Sequence, residues 1–329
     1  MPLTHRERLQ ACLADDASLD RPPVALWRHF PVDDQSPETL AAATLAFQQT
    51  YDFDFVKVSP ASSFCLKDWG AMDVWEGDPE GTRRYTQRVI ERPKDWETLP
   101  VLNPNKAPYL SGQLTCLRLL RENVPKETPI LQTIFSPLAQ AKNLVGGPRL
   151  IVHLRQYPEA VMKGLETIAR TTQRFVEACV KIGIDGVFYA IQHAQADLLT
   201  LEEYYRFGLG YDLKVLEAAR SLWCNVLHLH GEHIYFHLTE KYDLPIVNWH
   251  DRHSHPSLAE AQKQFADVVC GGIDQQTLVY RSRSEVIQQA EDAIRQTKGR
   301  RFILSAGCVV PIIAPHGNLL AVRQSVEKT

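Results

Sequence analysis

The 329-residue chain holds no basic block, no Cys-x-x-Cys pair, no Gly/Ser-rich linker and no apolar run near the ~20 residues that cross a bilayer. Each absence removes a class of function. Its 36 Lys and Arg face 39 Asp and Glu, for a net charge of -3. Unclustered positive charge does not neutralise a phosphate backbone, so no nucleic-acid partner is expected, and no membrane partner either. The opening MPLTHRERLQACLADD lacks an apolar core segment, which argues against a secretory signal. Cys12, Cys65, Cys116, Cys179, Cys224, Cys270 and Cys308 stand singly at long spacings. Such usage reads as reduced thiols in a cytoplasmic protein. With no linker or low-complexity segment, residues 1–329 read as one domain.

What is present is a recurring alternation. Eight apolar runs have the length of a buried strand: 24–30, 53–60, 129–135, 186–192, 225–231, 245–251, 267–274 and 301–308. They are rich in Val, Ile, Phe and Leu, which suits strands covered on both faces. Amphipathic stretches lie between them, at 37–51, 158–183, 212–223, 257–265 and 283–298. Gly183 and Gly299 follow two of these as C-terminal stop signals. Eight strands alternating with helices predict an α/β protein, a single (β/α)8 TIM barrel. A doubly wound open sheet would carry a glycine-rich phosphate turn after its first strand, and WRHFPVDD is nothing like one. The stretch from about 66 to 128, with Trp69, Trp75 and Trp96, reads as an irregular insertion after the second strand.

A barrel of this type places its working residues at the C-terminal ends of the strands. Those ends carry Arg28 and His29, Ser59 and Pro60, Phe135 and Ser136, Gln192 and His193, His228 and His230, Asn248 and His250, Asp251, Asp274 and Cys308. Five of the chain's 12 histidines fall there, which favours a site over scattered core imidazoles. His228 and His230 are i and i+2 on one strand, so both rings point into the barrel mouth. Two neutral imidazoles on one face are half of a zinc site, and a Cys308 thiolate would supply a third ligand with one position left open. His250, on the next strand, competes for that third place. Imidazole pairs also hydrogen-bond substrates without metal, so the pair alone does not fix the chemistry. His233 and His237 lack the glutamate pattern of a zincin, and His253 and His255 lie in a polar loop.

Four segments carry a family likeness: PVALWRHF near the start, FSPLAQAKNLVGG at 135–147, HLHGE at 228–232 and SAGCVVPIIAPHGNLLAV at 305–322. Through them the chain resembles the uroporphyrinogen decarboxylase superfamily, which also contains zinc-dependent cobalamin and coenzyme M methyltransferases. The superfamily fold is the (β/α)8 barrel. True decarboxylases show Arg-Gln-Ala-Gly-Arg after the first strand. Here Arg28 is followed by His29-Phe30-Pro31, and the expected aspartate is replaced by Val58-Ser59-Pro60. The family tyrosine aligns with Asn143 and the late active-site histidine with Cys308. The methyltransferase branch looks closer, with His-x-Cys-Gly and Gly-Cys as zinc motifs. Here these read His228-Leu229-His230-Gly231 and Gly307-Cys308.

The resemblance therefore implies zinc held by His228, His230 and Cys308, with methyl transfer between a corrinoid and a small thiol or anionic substrate. A corrinoid protein would dock over the strand ends. Arg28 is expected to pair with an anionic group of the substrate. His29, Gln192, Asn143 and Asn248 are expected to contact the substrate, and His193 and His250 to serve with Arg28 as catalytic groups or proton carriers. Glu232 is a candidate second partner for an imidazole. Two other readings stay open. One is a lyase of the uroporphyrinogen decarboxylase type acting on a tetrapyrrole or another carboxylated substrate, and the other a non-catalytic corrinoid or tetrapyrrole binder. The resemblance admits a homodimer as well as a monomer.

Overall fold

A computed structural model describes residues 2–328. In chain order the strands are β1 (Val56–Val58), β2 (Met72–Trp75), β3 (Arg83–Gln87), β4 (Ile130–Phe135), β5 (Gly186–Ile191), β6 (Val226–Leu229), β7 (Ile246–Trp249), β8 (Val268–Ile273) and β9 (Phe302–Ala306). Seven of them make one curled parallel sheet in the order β1-β4-β5-β6-β7-β8-β9, and β2 and β3 pair as a separate antiparallel hairpin. Every residue of β1 and of β5 to β9 is buried. That is why their sequences are continuous apolar runs and not alternating ones.

The run at 24–30, expected as the first strand, is the exception. It makes a single parallel bridge, Val24 to Leu304. The Ala25 amide donates to Leu304 O at 3.0 Å, and the Val24 carbonyl accepts from the Asp54 amide at 2.9 Å. This short stave therefore sits between β9 and β1 and closes the ring. Pro22 and Pro23 have no N–H to extend the ladder toward the N-terminus. In the other direction the Trp27 carbonyl is taken by the Val310 amide, at 2.8 Å.

Helices form where caps and periodicity asked for them. The helix Pro37–Tyr51 starts with Ser36 accepting the Thr39 amide and Pro37 at its first position. Pro158–Ile182 stops at Gly183, whose φ is +93°. Arg283–Thr297 opens on a capping box between Ser282 and Glu285. The last helix, His316–Ser325, carries Asn318 in its first turn, with the side-chain amide donating to Leu278 O and Arg281 O.

The segment 66–128, expected to be an irregular insertion, is regular in part. It contains the β2–β3 hairpin and the helix Pro108–Asn123, which packs on Pro37–Tyr51. Trp96 is fully buried against Gly164, donating to His153 Nδ1 at 3.0 Å. Trp69 and Trp75 donate to carbonyls of the same segment, Pro100 O and Asp78 O. Among the described residues no helix is long and apolar enough to cross a membrane.

Candidate metal centre

His228 lies within β6 and His230 one residue past its end, so strand alternation aims both rings at the barrel interior. The buried His228 ring is fixed by Asn248 on β7. Asn248 spends its amide hydrogens on Cys270 O at 2.8 Å and Ala306 O at 3.1 Å. Its oxygen must then accept from His228 Nδ1, 2.7 Å away. This leaves Nε2 of His228 with a free lone pair, the tautomer that ligates a metal.

Cys308 follows β9 and is delivered by a glycine. A Cβ on Gly307 would lie 2.8 Å from His250 Cα and 2.9 Å from Trp249 O, so only glycine lets this turn press against the end of β7. Gly231, at φ +104°, makes room in the same way for the Gln195 side chain just past His230.

The four side chains converge. Cys308 Sγ stands 3.7 Å from His228 Nε2 and 3.8 Å from His230 Nδ1, and His250 Nε2 is 3.2 Å from His230 Nδ1. One donor atom from each of His228, His230, His250 and Cys308 lies within 4.8 Å of all the others. Around tetrahedral zinc, with Zn–S of ~2.3 Å and Zn–N of ~2.0–2.1 Å, sulfur and nitrogen ligands sit about 3.5 Å apart and two nitrogens about 3.3 Å apart. The spacing fits. The sequence left His250 and Cys308 as rivals for one place; the structure puts both at the cluster.

Electrostatics keep the imidazoles neutral. Burial pushes His228 well below the ordinary histidine range and His230 down to about 4, helped by the neighbouring rings. Burial and then the His253 ring lower His250, while the charge of the exposed Glu232 acts in the opposite direction. Burial pushes the Cys308 thiol up to about 11, against opposing effects of the Val309 amide and the Lys57 ammonium.

A cavity of about 380 Å³ opens beside the cluster, lined by His228, His230 and Cys308 at one side and by Gln192 and Asn143 at another. His29 also lines it, pressed by Gly81 of the hairpin loop, where a Cβ would come within 2.5 Å of the His29 Cβ. Three expectations are corrected. Arg28 is not in the cavity: Trp27 and His29 take the inward positions, and Arg28 points the other way. Its guanidinium stacks over Phe30 and Phe47, at 5.1 and 5.5 Å, and Nη1 donates to Ile312 O. Asn248, expected to contact substrate, is fully buried, does not line the cavity and fixes the His228 ring. His193 is buried, does not line the cavity, and is pushed down to about 3 by burial and by Lys142. A group neutral at that level is mismatched to proton donation near pH 7.

The sequence reading missed other lining groups: Lys57 on β1, Arg83 and Arg88 from the hairpin, and Lys142. Lys57 is buried, donates to Ser59 Oγ at 3.0 Å and lies 4.7 Å over the Phe188 ring. Burial brings its ammonium down to about 7. Within FDFVKVSP its one signal was a lysine in mid-strand of a run otherwise built to be covered on both faces.

Fold and cluster together define an α/β barrel with nitrogen and sulfur metal donors at the C-terminal ends of its strands. The chain belongs to the uroporphyrinogen decarboxylase family, whose profile matches residues 7–329. It is similar to the methylcobamide:CoM methyltransferase MtbA of Methanosarcina acetivorans, 21% identical over 297 residues that cover 90% of this chain and 85% of that protein. Its fold is that of a methyltransferase from Methanosarcina mazei, with a TM-score of 0.86 at 18% identity over 99% of each chain. A B12-independent methionine synthase from a Shewanella species superposes less closely, with a TM-score of 0.59 at 14% identity over 93% of this chain and 92% of that one.

Proposed function

We propose that the protein is a zinc-dependent methyltransferase that moves a methyl group between a corrinoid and a small thiol. The observation that carries this reading is the convergence of four soft and borderline donors, His228, His230, His250 and Cys308, beside a cavity sized for a small molecule. The likeness to a methylcobamide-dependent methyltransferase supports the reaction class. His228, His230 and Cys308 would hold the metal throughout, and His250, the fourth donor, would give up its place to the substrate sulfur. A zinc ion there supplies Lewis acidity that turns a bound thiol into a thiolate at neutral pH. Compared with a donor set of one histidine and two cysteines, His230 in place of a thiolate would leave a metal held here less electron-rich.

The chain's own residues do the rest. Asn248 fixes the His228 tautomer, Gly307 sets the approach of Cys308, and Trp27 and Phe188 wall the cavity with aromatic surface. The test is elemental analysis paired with turnover. Wild-type protein is expected to hold one zinc per chain and to demethylate methylcobalamin with an added thiol, followed by the change in corrinoid absorbance. His228→Ala and Cys308→Ala are expected to lose both metal and turnover, and His250→Ala to keep zinc at lower affinity. Stoichiometric zinc retained in both of the first two variants refutes the ligand assignment.

A further inference from the structure

Four cations line the cavity, and they are not equivalent. Arg83 is neutralised, with Nη2 2.6 Å from Asp34 Oδ1 and Nη1 3.4 Å from Asp73 Oδ1. Lys57 is turned toward Ser59 Oγ and two aromatic rings. Arg88 and Lys142 differ from both. Among the described residues neither has a carboxylate within ion-pair distance. Arg88 donates from Nη1 to the Asn143 carbonyl at 2.7 Å and stacks over the Tyr85 ring at 5.0 Å. Lys142 gives one of its three hydrogens to Gln192 Oε1 at 2.7 Å. The two charges feel each other: burial and then Arg88 draw the Lys142 ammonium below its ordinary value.

Two adjacent, half-buried cations without a counter-charge are costly unless an anion joins them. The same cavity is lined by His228, His230 and Cys308 of the cluster, and the Lys142 charge is felt at His230. The Gln192 carbonyl is tied by Gln195, whose amide also reaches the His230 carbonyl, at 2.8 and 3.3 Å. Glu80, on the hairpin loop, lines the same cavity and pairs with neither cation. We propose that Arg88 and Lys142 form an anion subsite that binds the oxyanion end, carboxylate or sulfonate, of the small thiol whose sulfur faces the metal donors. This deepens the methyltransferase reading and rests on it for the sulfur end alone. The guanidinium's free Nε and Nη2 edge suits bidentate contact with an oxyanion, and the ammonium adds a point charge. It is this pair, and not Arg28, that meets the anionic group.

The experiment uses the full chain. Calorimetric titration of zinc-loaded protein with 2-mercaptoethanol, 3-mercaptopropionate and 2-mercaptoethanesulfonate separates neutral, carboxylate and sulfonate thiols. At least one anionic thiol is expected to bind tenfold or more tighter than the neutral one. Arg88→Gln and Lys142→Gln are each expected to lose most of that margin without weakening the neutral thiol, and Arg88→Lys to restore part of it. Equal affinities in the wild type, or a margin that survives the double variant, overturn the subsite. Zinc content and thermal melting of each variant report folding. A second arm keeps the two readings apart: zinc-free protein is probed by saturation-transfer NMR with propionate and ethanesulfonate, which carry no thiol. Anion contact that depends on Arg88 and Lys142 in that arm upholds the subsite even if the metal assignment fails. Its absence, or its persistence in the double variant, overturns the subsite while leaving the metal assignment standing.

Discussion

At the scale of single residues, the cluster is built so that one proton stands between the free protein and a ligand set. His230 is held near 4, His228 well below the ordinary range and His250 below it, so the three rings are neutral at pH 7. Cys308, pushed up to about 11, is still a thiol there. Metal binding must therefore release one proton, from sulfur, and the released proton makes affinity rise with pH. The sign follows from Cys308 alone: raising pH toward its value reduces the cost of making the thiolate. Zinc affinity is expected to increase about tenfold per pH unit across roughly pH 7 to 10. Calorimetry in buffers of different ionisation enthalpy should count one proton per zinc. A count near zero would mean that the thiol is already ionised or takes no part. The same scale shows what the sequence could reveal. The His228–His230 pair was legible because period-two alternation fixes both rings on one face. That rule, applied to Trp27-Arg28-His29, would also have turned Arg28 outward, where Phe30 and Phe47 hold it. Arg88 and Lys142 were not legible. One depends on a hairpin hidden in an insertion and the other on a lysine in the first helical turns after β4, and nothing local marks either as lacking a counter-ion.

At the scale of elements, the strands were read well because burial on both faces writes itself as an unbroken apolar run, and seven of the eight runs are ladder strands. The run at 24–30 failed for a reason outside its own composition: prolines precede it and its partners on either side take only a few of its backbone groups. Glycine placement at strand ends carries the geometry of the site. At Gly307 the atoms that a methyl group would meet are backbone, His250 Cα and Trp249 O, which do not swing aside as a flexible side chain does. Gly307→Ala is expected to push the end of β9 away from β7 and carry Cys308 out of reach of the imidazoles. Zinc content should fall sharply while far-ultraviolet circular dichroism stays that of the wild type. Gly317→Ala is the matched control, since nothing lies within 4 Å of the added methyl, and it should retain full zinc. Equal zinc in the two variants would show that the turn tolerates the shift and that Cys308 is not placed by Gly307.

At the scale of the whole molecule, the barrel divides into a working rim and a closing seam. The seam lies where the short stave at Val24 meets β1: its one bridge is to Leu304 on the β9 side, and toward β1 the backbone offers the Asp54 amide bond to the Val24 carbonyl. The Asp54 carboxylate adds to that connection. With no exposed side-chain surface, it accepts from the Val24 amide at 2.7 Å, from Arg8 Nη1 at 2.7 Å and from Arg21 Nη1 at 2.8 Å, while Arg8 reaches on to Asp20 at 2.8 Å. Arg8 comes from the first helix, His5–Leu13, so one carboxylate binds that helix, the stave and the approach to β1. Removing the Asp54 charge leaves Arg21 without a carboxylate and Arg8 with Asp20 alone, and breaking a buried pair in this way costs about 3–5 kcal/mol. Asp54→Asn is expected to destabilise the fold by about that amount in urea or thermal unfolding. Zinc affinity measured at low temperature on the folded fraction should be unchanged, because the seam is at the N-terminal ends of the strands, where barrels keep stability apart from chemistry. Loss of zinc affinity in proportion to the loss of stability would show instead that the rim takes its shape from the seam, and that the cluster is assembled by closure of the whole ring.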